Sequence, residues 1–197
     1  MKKLALYVLG LLLCATFLSV MPVEGEEGIY NSVVRLHILA NSDGEEDQAL
    51  KLAVRDAVLA AYGEELNCTD KAVAEERITA LLPSVQKTAE EVLATHGCPH
   101  TVKIYFTEEK YPTRTYGELS FPAGTYSSLR IVIGEGEGQN WWCVLFPPIC
   151  LDAATEEAET QQTKPEELEE AEWRLVSRDG RYEIRFRLLE MLAELAE

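Results

Sequence analysis

The pattern of apolar and polar positions divides the chain into a helical first half and a strand-rich second half. Residues 33–39 form an apolar, β-branched run, which predicts a strand. The segment at 41–45 predicts the start of a helix, with Ser42 as N-cap and Glu45 completing a capping box. We expect this helix to end at Gly63. Its apolar face, with a period of 3.6 residues, consists of Leu50, Ala53, Val54, Ala57, Val58 and Ala61.

Two shorter helices are predicted before residue 101, separated by Pro83, which interrupts the hydrogen bonding of a helix. The first is marked by Ala74, Ile78, Leu81 and Leu82, and the second by Val85, Ala89, Val92 and Leu93. If the two helices fold back on each other, Cys68 and Cys98 come close enough to bond. One straight helix would hold these cysteines about 40 Å apart at 1.5 Å per residue. The break at Pro83 and this disulfide therefore depend on each other.

From residue 101 onward, the pattern predicts a mainly antiparallel sheet. Strands are expected at 102–106, 127–133 and 141–146, with a turn-rich connection at 111–117. The glycine-rich segment 134–138 carries two acids and leads into a strand. It therefore predicts a hairpin loop rather than a phosphate-binding loop, which would be free of acids and would lead into a helix.

The C-terminal part begins with an acidic stretch at 152–172, which lacks strong periodicity and predicts a solvated linker. The end of this stretch, residues 166–172, allows a short helix. Residues 173–178 and 181–188 flank an Asp-Gly turn and predict a hairpin, and 190–197 predict a short helix. The fold class is therefore α+β, a single domain over 26–151 that residues 173–197 complete. It has an N-terminal strand, three helices, the sheet, and a C-terminal hairpin with a short helix.

The N-terminus predicts export. A positive start precedes an apolar run at 4–20, and the small residues before position 26 suit cleavage after Gly25. The alternative is an uncleaved membrane anchor, for which the run is short. The net charge of −16, half of it from 152–172, makes nucleic acid and anionic membrane surfaces poor partners.

Four cysteines remain after export, and an even number in an exported chain favours disulfides over a zinc site. We expect the pairs Cys143–Cys150 and Cys68–Cys98. The first closes a loop stiffened by Pro147 and Pro148, and is worth about 2.5 kcal/mol in the loop-entropy model. Four free, buried thiols are the alternative.

The three histidines do not form a recognisable catalytic or metal site. His37 lies in the apolar strand and is expected to be a core or edge residue. His96 and His100 are four residues apart, but the glycine and proline between them bar the helix that would align them on a metal. His37 with Asp43 has the composition of a general base, yet no nucleophile is marked beside it. We predict no catalytic residue, no metal ligand and no cofactor.

Two surfaces are candidates for binding a protein partner. Trp141 and Trp142 are adjacent, so on a strand they face opposite sides, and an exposed tryptophan beside Pro147 and Pro148 makes a plausible anchor. The alternative is a strand buried on both faces. The second candidate is a stripe of three charged residues at i, i+4 and i+8 on the first helix, which is either a recognition face or a set of solvated ion pairs. It consists of Asp47, Lys51 and Arg55.

Several long, ordered motifs resemble stage II sporulation protein R, a family of endospore-forming bacteria. The resemblance runs from about residue 30 to 151 and resumes near 181. It is carried by RLHILANSD at 35–43 with DQALKL at 47–52 and VRDAV at 54–58; YPTRTYG at 111–117 with PAG at 122–124 and LR at 129–130; residues 134–150; and, more weakly, IRFRLLE at 184–190.

The resemblance implies a signalling protein rather than an enzyme. Proteins of this family are made in the forespore and exported into the space between the two sporulation membranes. There they activate the membrane aspartic protease SpoIIGA, which cleaves the pro-form of sigma-E in the mother cell. The resemblance implies no small-molecule substrate and assigns no residue-level role. Two alternatives stay open from the residues: an exported metal-dependent cell-wall hydrolase using His37 and Asp43, and a membrane-anchored structural protein.

Overall fold

The computed structural model describes residues 26–66, 68–116, 119–149, 164–165 and 168–177, together with the isolated positions 3, 7 and 10. The elements in chain order are α1 (Glu26–Ser32), β1 (Val34–Leu39), α2 (Glu45–Tyr62), a 3₁₀ turn (Glu64–Leu66), α3 (Lys71–Thr95), β2 (Val102–Tyr111), β3 (Arg114–Tyr116), β4 (Leu119–Phe121), β5 (Gly124–Ile133), β6 (Asn140–Phe146) and α4 (Glu170–Val176). The α+β class predicted from the sequence is confirmed.

A four-stranded sheet with the order β2-β5-β1-β6 forms the centre of the fold. The N-terminal strand β1 lies between two strands from the second half of the chain, parallel to β5 and antiparallel to β6. Strand β2 pairs antiparallel with β5 along its full length. A separate two-stranded sheet joins β3 and β4. The sheet is thus mixed, with antiparallel pairs in the majority.

The sheet separates two apolar clusters, and alternation along β1 assigns its side chains to one or the other. Leu36 and Ile38 face α2 and α3 in the larger cluster. Arg35 and His37 point to the opposite face, and all six residues of β1 are buried. That opposite face carries the second cluster, to which α1, β3, β4 and α4 contribute. Strand β1 is therefore buried on both sides.

The predicted break at Pro83 is wrong, because α3 is one helix of 25 residues with Pro83 inside it. The apolar positions before and after the proline fall on one continuous stripe, and Pro83 itself is exposed. Burial of that stripe against the sheet outweighs the local cost of about 3 kcal/mol for an internal proline. Cys68 and Cys98 are both free thiols. The predicted disulfide between them is therefore also wrong, as its dependence on the break requires.

The start of α2 differs from the predicted capping box. Gly44 is the N-cap and makes no side-chain cap bond. Ser42 instead accepts from the Gly44 N–H at 3.2 Å and donates to Asp47 Oδ2 at 2.6 Å. At the other end, Gly63 follows the last residue of α2 as predicted, and its N–H donates to the Leu59 carbonyl.

The glycine-rich segment 134–138 is not a hairpin loop, because β1 lies between the two strands it joins. The segment crosses the C-terminal end of β1, where the Gly138 N–H donates to the Ala40 carbonyl at 3.0 Å. Gly134 and Gly136 have positive φ angles of 59° and 69°. A Cβ at Gly138 would overlap the Ser42 carbonyl. These glycines permit a close crossing that side chains would obstruct.

The C-terminal prediction is wrong for the strand at 173–178, whereas the short helix allowed at the end of the acidic stretch is present from Glu170. Residues 173–176 belong to helix α4 rather than to a strand, and Ser177 forms an isolated antiparallel bridge with Leu119. Leu168 and Glu172 are buried, so the end of the predicted linker packs against the second cluster instead of being solvated. The remainder of the predicted hairpin and the terminal helix, at 178–197, lie outside the described residues, as do 150–163.

The predicted export segment at 1–25 also lies outside the described residues, except for the three isolated positions. Within the described ranges, no helix combines the length and apolar character needed to cross a membrane.

Candidate functional site

A polar network lies on the face of the sheet opposite α2 and α3, centred on His37. Its Nδ1 is 2.8 Å from Glu109 Oε1, and its Nε2 is 2.7 Å from Asn140 Oδ1. The imidazole is only 3% exposed. The three residues come from β1, β2 and β6, so the order of the strands assembles the network. The sequence prediction of a core or edge histidine is confirmed as a buried residue, but nothing in the local sequence indicated its partners.

Glu109 connects several members of this network. Its Oε2 accepts from Ser128 Oγ at 3.1 Å, and Arg130 Nη1 lies 3.4 Å from its Oε1. Burial acts to raise the pKa of Glu109, but the hydrogen bonds and charges of His37, Arg130 and Ser128 outweigh it and hold that pKa below its ordinary value. Ser128 also bonds the Tyr111 hydroxyl at 2.6 Å. Burial raises the pKa of Tyr111, so this phenol stays neutral.

Trp142 covers one side of the network. Its ring stacks on the His37 imidazole with centroids 3.6 Å apart and planes 14° apart. Tyr111 contacts the same indole edge-on at 4.5 Å, and the Arg114 guanidinium lies 5.8 Å from the ring centroid. The indole Nε1 is shielded from solvent and has no acceptor in the described part of the chain. The tryptophan is half-buried, which places it between the core and the surface.

Arg35 is fully buried below this network. It donates from Nε to the Cys143 carbonyl at 3.1 Å and from Nη2 to the Tyr116 hydroxyl at 2.9 Å. No carboxylate lies within ion-pair distance of it among the described residues. Four aromatic rings, with centroids 4.5–5.6 Å from its guanidinium carbon, surround the charge instead: Tyr111, Tyr116, Phe121 and Tyr126. Sequence reasoning missed this residue because its partners are spread over five strands, β2 to β6.

The predicted stripe on α2 is neither fully exposed nor a set of solvated i, i+4 pairs. Asp47 accepts from Ser42 and Asn41, and these hydrogen bonds lower its pKa. Lys51 is buried and donates to the Gln139 carbonyl at 2.9 Å; burial lowers its pKa. Asp47 ties α2 to the connection that follows β1, and Lys51 ties α2 to Gln139, directly after the glycine-rich segment. Their predicted role in partner binding stays a prediction.

The other residues predicted to bind a partner lie on both sides of the sheet and are partly or fully buried. The Arg55 guanidinium lies 5.0 Å from the Trp141 ring, on the helical side of the sheet. Trp142 lies on the other side, so the prediction that the two tryptophans face opposite sides is confirmed. Both are half-buried. Pro147 is buried after a cis peptide bond and Pro148 is half-buried, so less of this segment is exposed than expected.

Cys143 is disulfide-bonded. The partner predicted for it, Cys150, lies outside the described residues, and this pairing stays a prediction.

The residues suggested for a hydrolase are engaged elsewhere. Both ring nitrogens of His37 have partners, whereas Asp43 Oδ1 accepts from the Gln139 N–H at 2.7 Å. His96 bonds the Val92 carbonyl, and His100 lies 3.5 Å from Asp47. Within the described ranges, no group of three or more histidine, cysteine, aspartate or glutamate side chains is placed to hold a metal ion.

The sequence was compared with models of known protein families. The family model for stage II sporulation protein R matches residues 30–156. The chain belongs to this family. The match begins within α1, continues past the end of β6 and includes the His37 network, Arg35 and both tryptophans.

One similar relative is the stage II sporulation protein R of Bacillus subtilis (strain 168), which is 37% identical over 142 residues. The alignment covers 70% of this chain and 62% of the relative, so the chain matches less than two thirds of the relative's length. No solved structure matches the chain.

Proposed function

We propose that this chain is an exported signalling protein of endospore formation. In this proposal it is secreted from the forespore into the intermembrane space, with residues 1–25 as signal peptide or anchor. There it activates a SpoIIGA-type membrane aspartic protease, which cleaves the pro-form of sigma-E in the mother cell. The observation that carries the proposal is membership of the stage II sporulation protein R family over residues 30–156.

Features of the chain itself support this proposal. The N-terminus has the pattern of a secretory signal. The described cysteines include one in a disulfide, a bond typical of compartments outside the cytoplasm. His37, Glu109, Asn140 and Ser128 bond one another, an arrangement that suits a structural network better than a site that binds and turns over a substrate.

The way in which this protein would activate the protease follows from thermodynamic linkage between binding and activation. A ligand activates a protease only by binding the active state more tightly than the inactive one. An aspartic protease that assembles its site from two half-sites is activated when the two halves are held together. We therefore propose that the exported domain stabilises the dimer of the protease, using surface on and around the Arg55–Trp141 pair and the exposed part of Trp142 to Pro148.

The first test is processing of pro-sigma-E in sporulating cells that lack this gene, followed by immunoblotting. We expect cleavage to be lost, to return with the intact gene, and to stay absent with a gene lacking codons 1–25. Normal cleavage without the gene would contradict the proposed function.

The second test concerns the dimer. The protease, solubilised in detergent, is examined by crosslinking before and after addition of the purified protein. We expect the dimer fraction to rise in proportion to activation. Activation with no change in the dimer fraction would exclude dimer stabilisation while leaving the signalling role intact.

A further inference from the structure

The face of the sheet that carries the His37 network is open to solvent along one side. Tyr105 on β2 is 48% exposed, an unusual degree for an aromatic residue in the middle of a strand. It pairs across the strands with Arg130 on β5, whose side chain is 38% exposed. Trp142 and the neighbouring Arg114 border the same network. We name these four residues, Tyr105, Arg114, Arg130 and Trp142, the arginine face.

The arginine face carries positive charge that the described residues leave largely unbalanced. Arg114 is exposed and has no carboxylate within ion-pair distance in the described ranges. The same holds for Lys103, which lies two residues before Tyr105 and so on the same side of β2. Arg130 has one acidic neighbour, Glu109, which also bonds His37. In a chain with 34 acidic and 18 basic residues, such a concentration of cations runs against the composition.

Two hydrogen-bond donors on this face lack acceptors. Arg130 Nε and Trp142 Nε1 are both shielded from solvent, and neither has a partner in the described part of the chain. A shielded donor without an acceptor is unfavourable, because it loses its hydrogen bond to water and forms none within the protein. An acceptor brought to this face by another molecule, with a small shift of these side chains, would relieve both. Carboxylate oxygens are the acceptors that guanidinium groups bind best.

We propose that the arginine face is a further docking surface, on the side of the sheet opposite the Arg55–Trp141 pair, for an acidic extracytoplasmic segment of the protein partner. The strong net negative charge repels acidic segments from most of the surface, so the field favours their approach to a face where exposed cations lie together. Tyr105 and Trp142 supply the aromatic surface typical of the centre of an interface. This inference rests on the proposed function, because it takes the membrane protease as the partner.

The experiment compares three substitutions in the full chain. Arg114→Glu reverses the charge, and Tyr105→Ala removes the exposed ring. Lys87→Glu is the matched control, because it makes the same charge change on a side chain that is 77% exposed on α3, on the other side of the sheet. Each variant is tested for co-purification with the detergent-solubilised protease and for pro-sigma-E processing in sporulating cells. Thermal melting by circular dichroism shows whether each variant is folded.

We expect Arg114→Glu and Tyr105→Ala each to weaken co-purification about tenfold or more and to reduce processing, with Lys87→Glu like the wild type. Restoration of the Arg114→Glu variant by an acidic-to-lysine change in an extracytoplasmic segment of the protease would identify the contact. If Arg114→Glu does not fold, Arg114→Gln replaces it, and the same loss is expected in smaller degree.

Other outcomes overturn the inference in distinguishable ways. Wild-type binding and processing by both face variants would mean that docking occurs elsewhere while the proposed function stands. No binding and no processing by the wild-type protein would mean that the proposed function itself has failed. Arg114-dependent flotation with phosphatidylglycerol vesicles lacking the protease would assign the face to a membrane, and Arg114-dependent self-association in light scattering would assign it to a second copy.

Discussion

Glu109→Gln is the substitution that tests the His37 network most directly. Glutamine keeps the shape of the side chain and one acceptor oxygen, but it loses the charge and replaces the other oxygen with a donor. The carboxylate bonds His37 at 2.8 Å and Ser128 at 3.1 Å, and its side chain is only 14% exposed. The amide oxygen can accept a hydrogen bond from only one of His37 and Ser128, and that bond lacks the added strength of a charged acceptor.

The magnitude follows from these two bonds. A hydrogen bond to a charged group contributes roughly 1.5–3 kcal/mol, against roughly 0.5–1.5 kcal/mol for a neutral one. Weakening the bond to His37 and losing the bond from Ser128 therefore lowers the free energy of unfolding by about 2–4 kcal/mol. For a domain of this size, we expect the melting temperature to fall by about 10 °C. The measurements are urea unfolding, for the free energy, and thermal melting, for the temperature, of the purified wild-type and variant proteins at neutral pH.

The pH dependence provides the sharper test. The pKa of Glu109 is lowered on folding, so its contribution is fully present well above its ordinary pKa of 4.5 and is lost as the pH falls through that value toward the folded pKa. The stability difference between wild type and Glu109→Gln should therefore narrow on acidification. A difference that stays constant or widens as the pH falls would refute the account of the network.

A matched surface substitution controls for the effect on stability of removing one negative charge anywhere in the protein. Glu91 is 66% exposed and pairs with Lys87 at 3.6 Å. We expect Glu91→Gln to change stability by no more than about 0.5 kcal/mol. A loss comparable to that of Glu109→Gln would show that net charge, and not the network, accounts for the result.

Four further substitutions test the fold, each by urea unfolding. Gly134→Ala should cost more than Gly97→Ala, because both glycines have positive φ but a Cβ at 134 overlaps Asn41 while one at 97 meets nothing; equal losses would contradict the close crossing of the loop. Pro83→Ala should stabilise the protein by about 1–3 kcal/mol, and a destabilisation would argue against a continuous α3. Ile38→Ala, at a fully buried position, should cost about 2–5 kcal/mol, and a change below 1 kcal/mol would contradict the burial of β1.

The sequence predicted elements whose signals are local and continuous. The apolar run of β1, the 3.6 periodicity of α2 with its end at Gly63, and the strands β2, β5 and β6 were all foreseen. The break at Pro83 was predicted wrongly because a local rule about proline was given more weight than the apolar stripe that runs past it on both sides. The 3.6-residue periodicity of apolar positions over the whole segment predicts one continuous helix, which is what the structure shows.

The hairpin predicted at 134–138 and the strand predicted at 173–178 were wrong for the same reason. A turn sequence indicates only the local path of the backbone and not which distant strands lie beside it. The glycine-rich segment looked like a hairpin because nothing in it indicates that a strand from a distant part of the chain lies between β5 and β6. The strand predicted at 173–178 followed from a downstream Asp-Gly pair, whereas the first four of these residues form helix α4 against a cluster assembled from remote elements.

The candidate site was less predictable than the fold. The tryptophans and His37 were singled out because of their residue type. Glu109, Arg130 and Asn140 were not, because their importance arises from strand order: they lie 72, 93 and 103 positions from His37 in sequence and become its neighbours only in the sheet. No spacing rule in a single sequence reports such a cluster.

The central position of β1 has a consequence for the order in which the protein can fold. The strand is among the first parts of the domain to emerge during synthesis, which proceeds from the N-terminus. Its hydrogen-bonding partners, β5 and β6, emerge about 90 to 110 residues later. Until then β1 is an apolar segment with two unpaired edges, and contacts at such separation form slowly. A chain interrupted before β6 would leave this apolar segment exposed and open to aggregation, so the domain depends on the synthesis of β6.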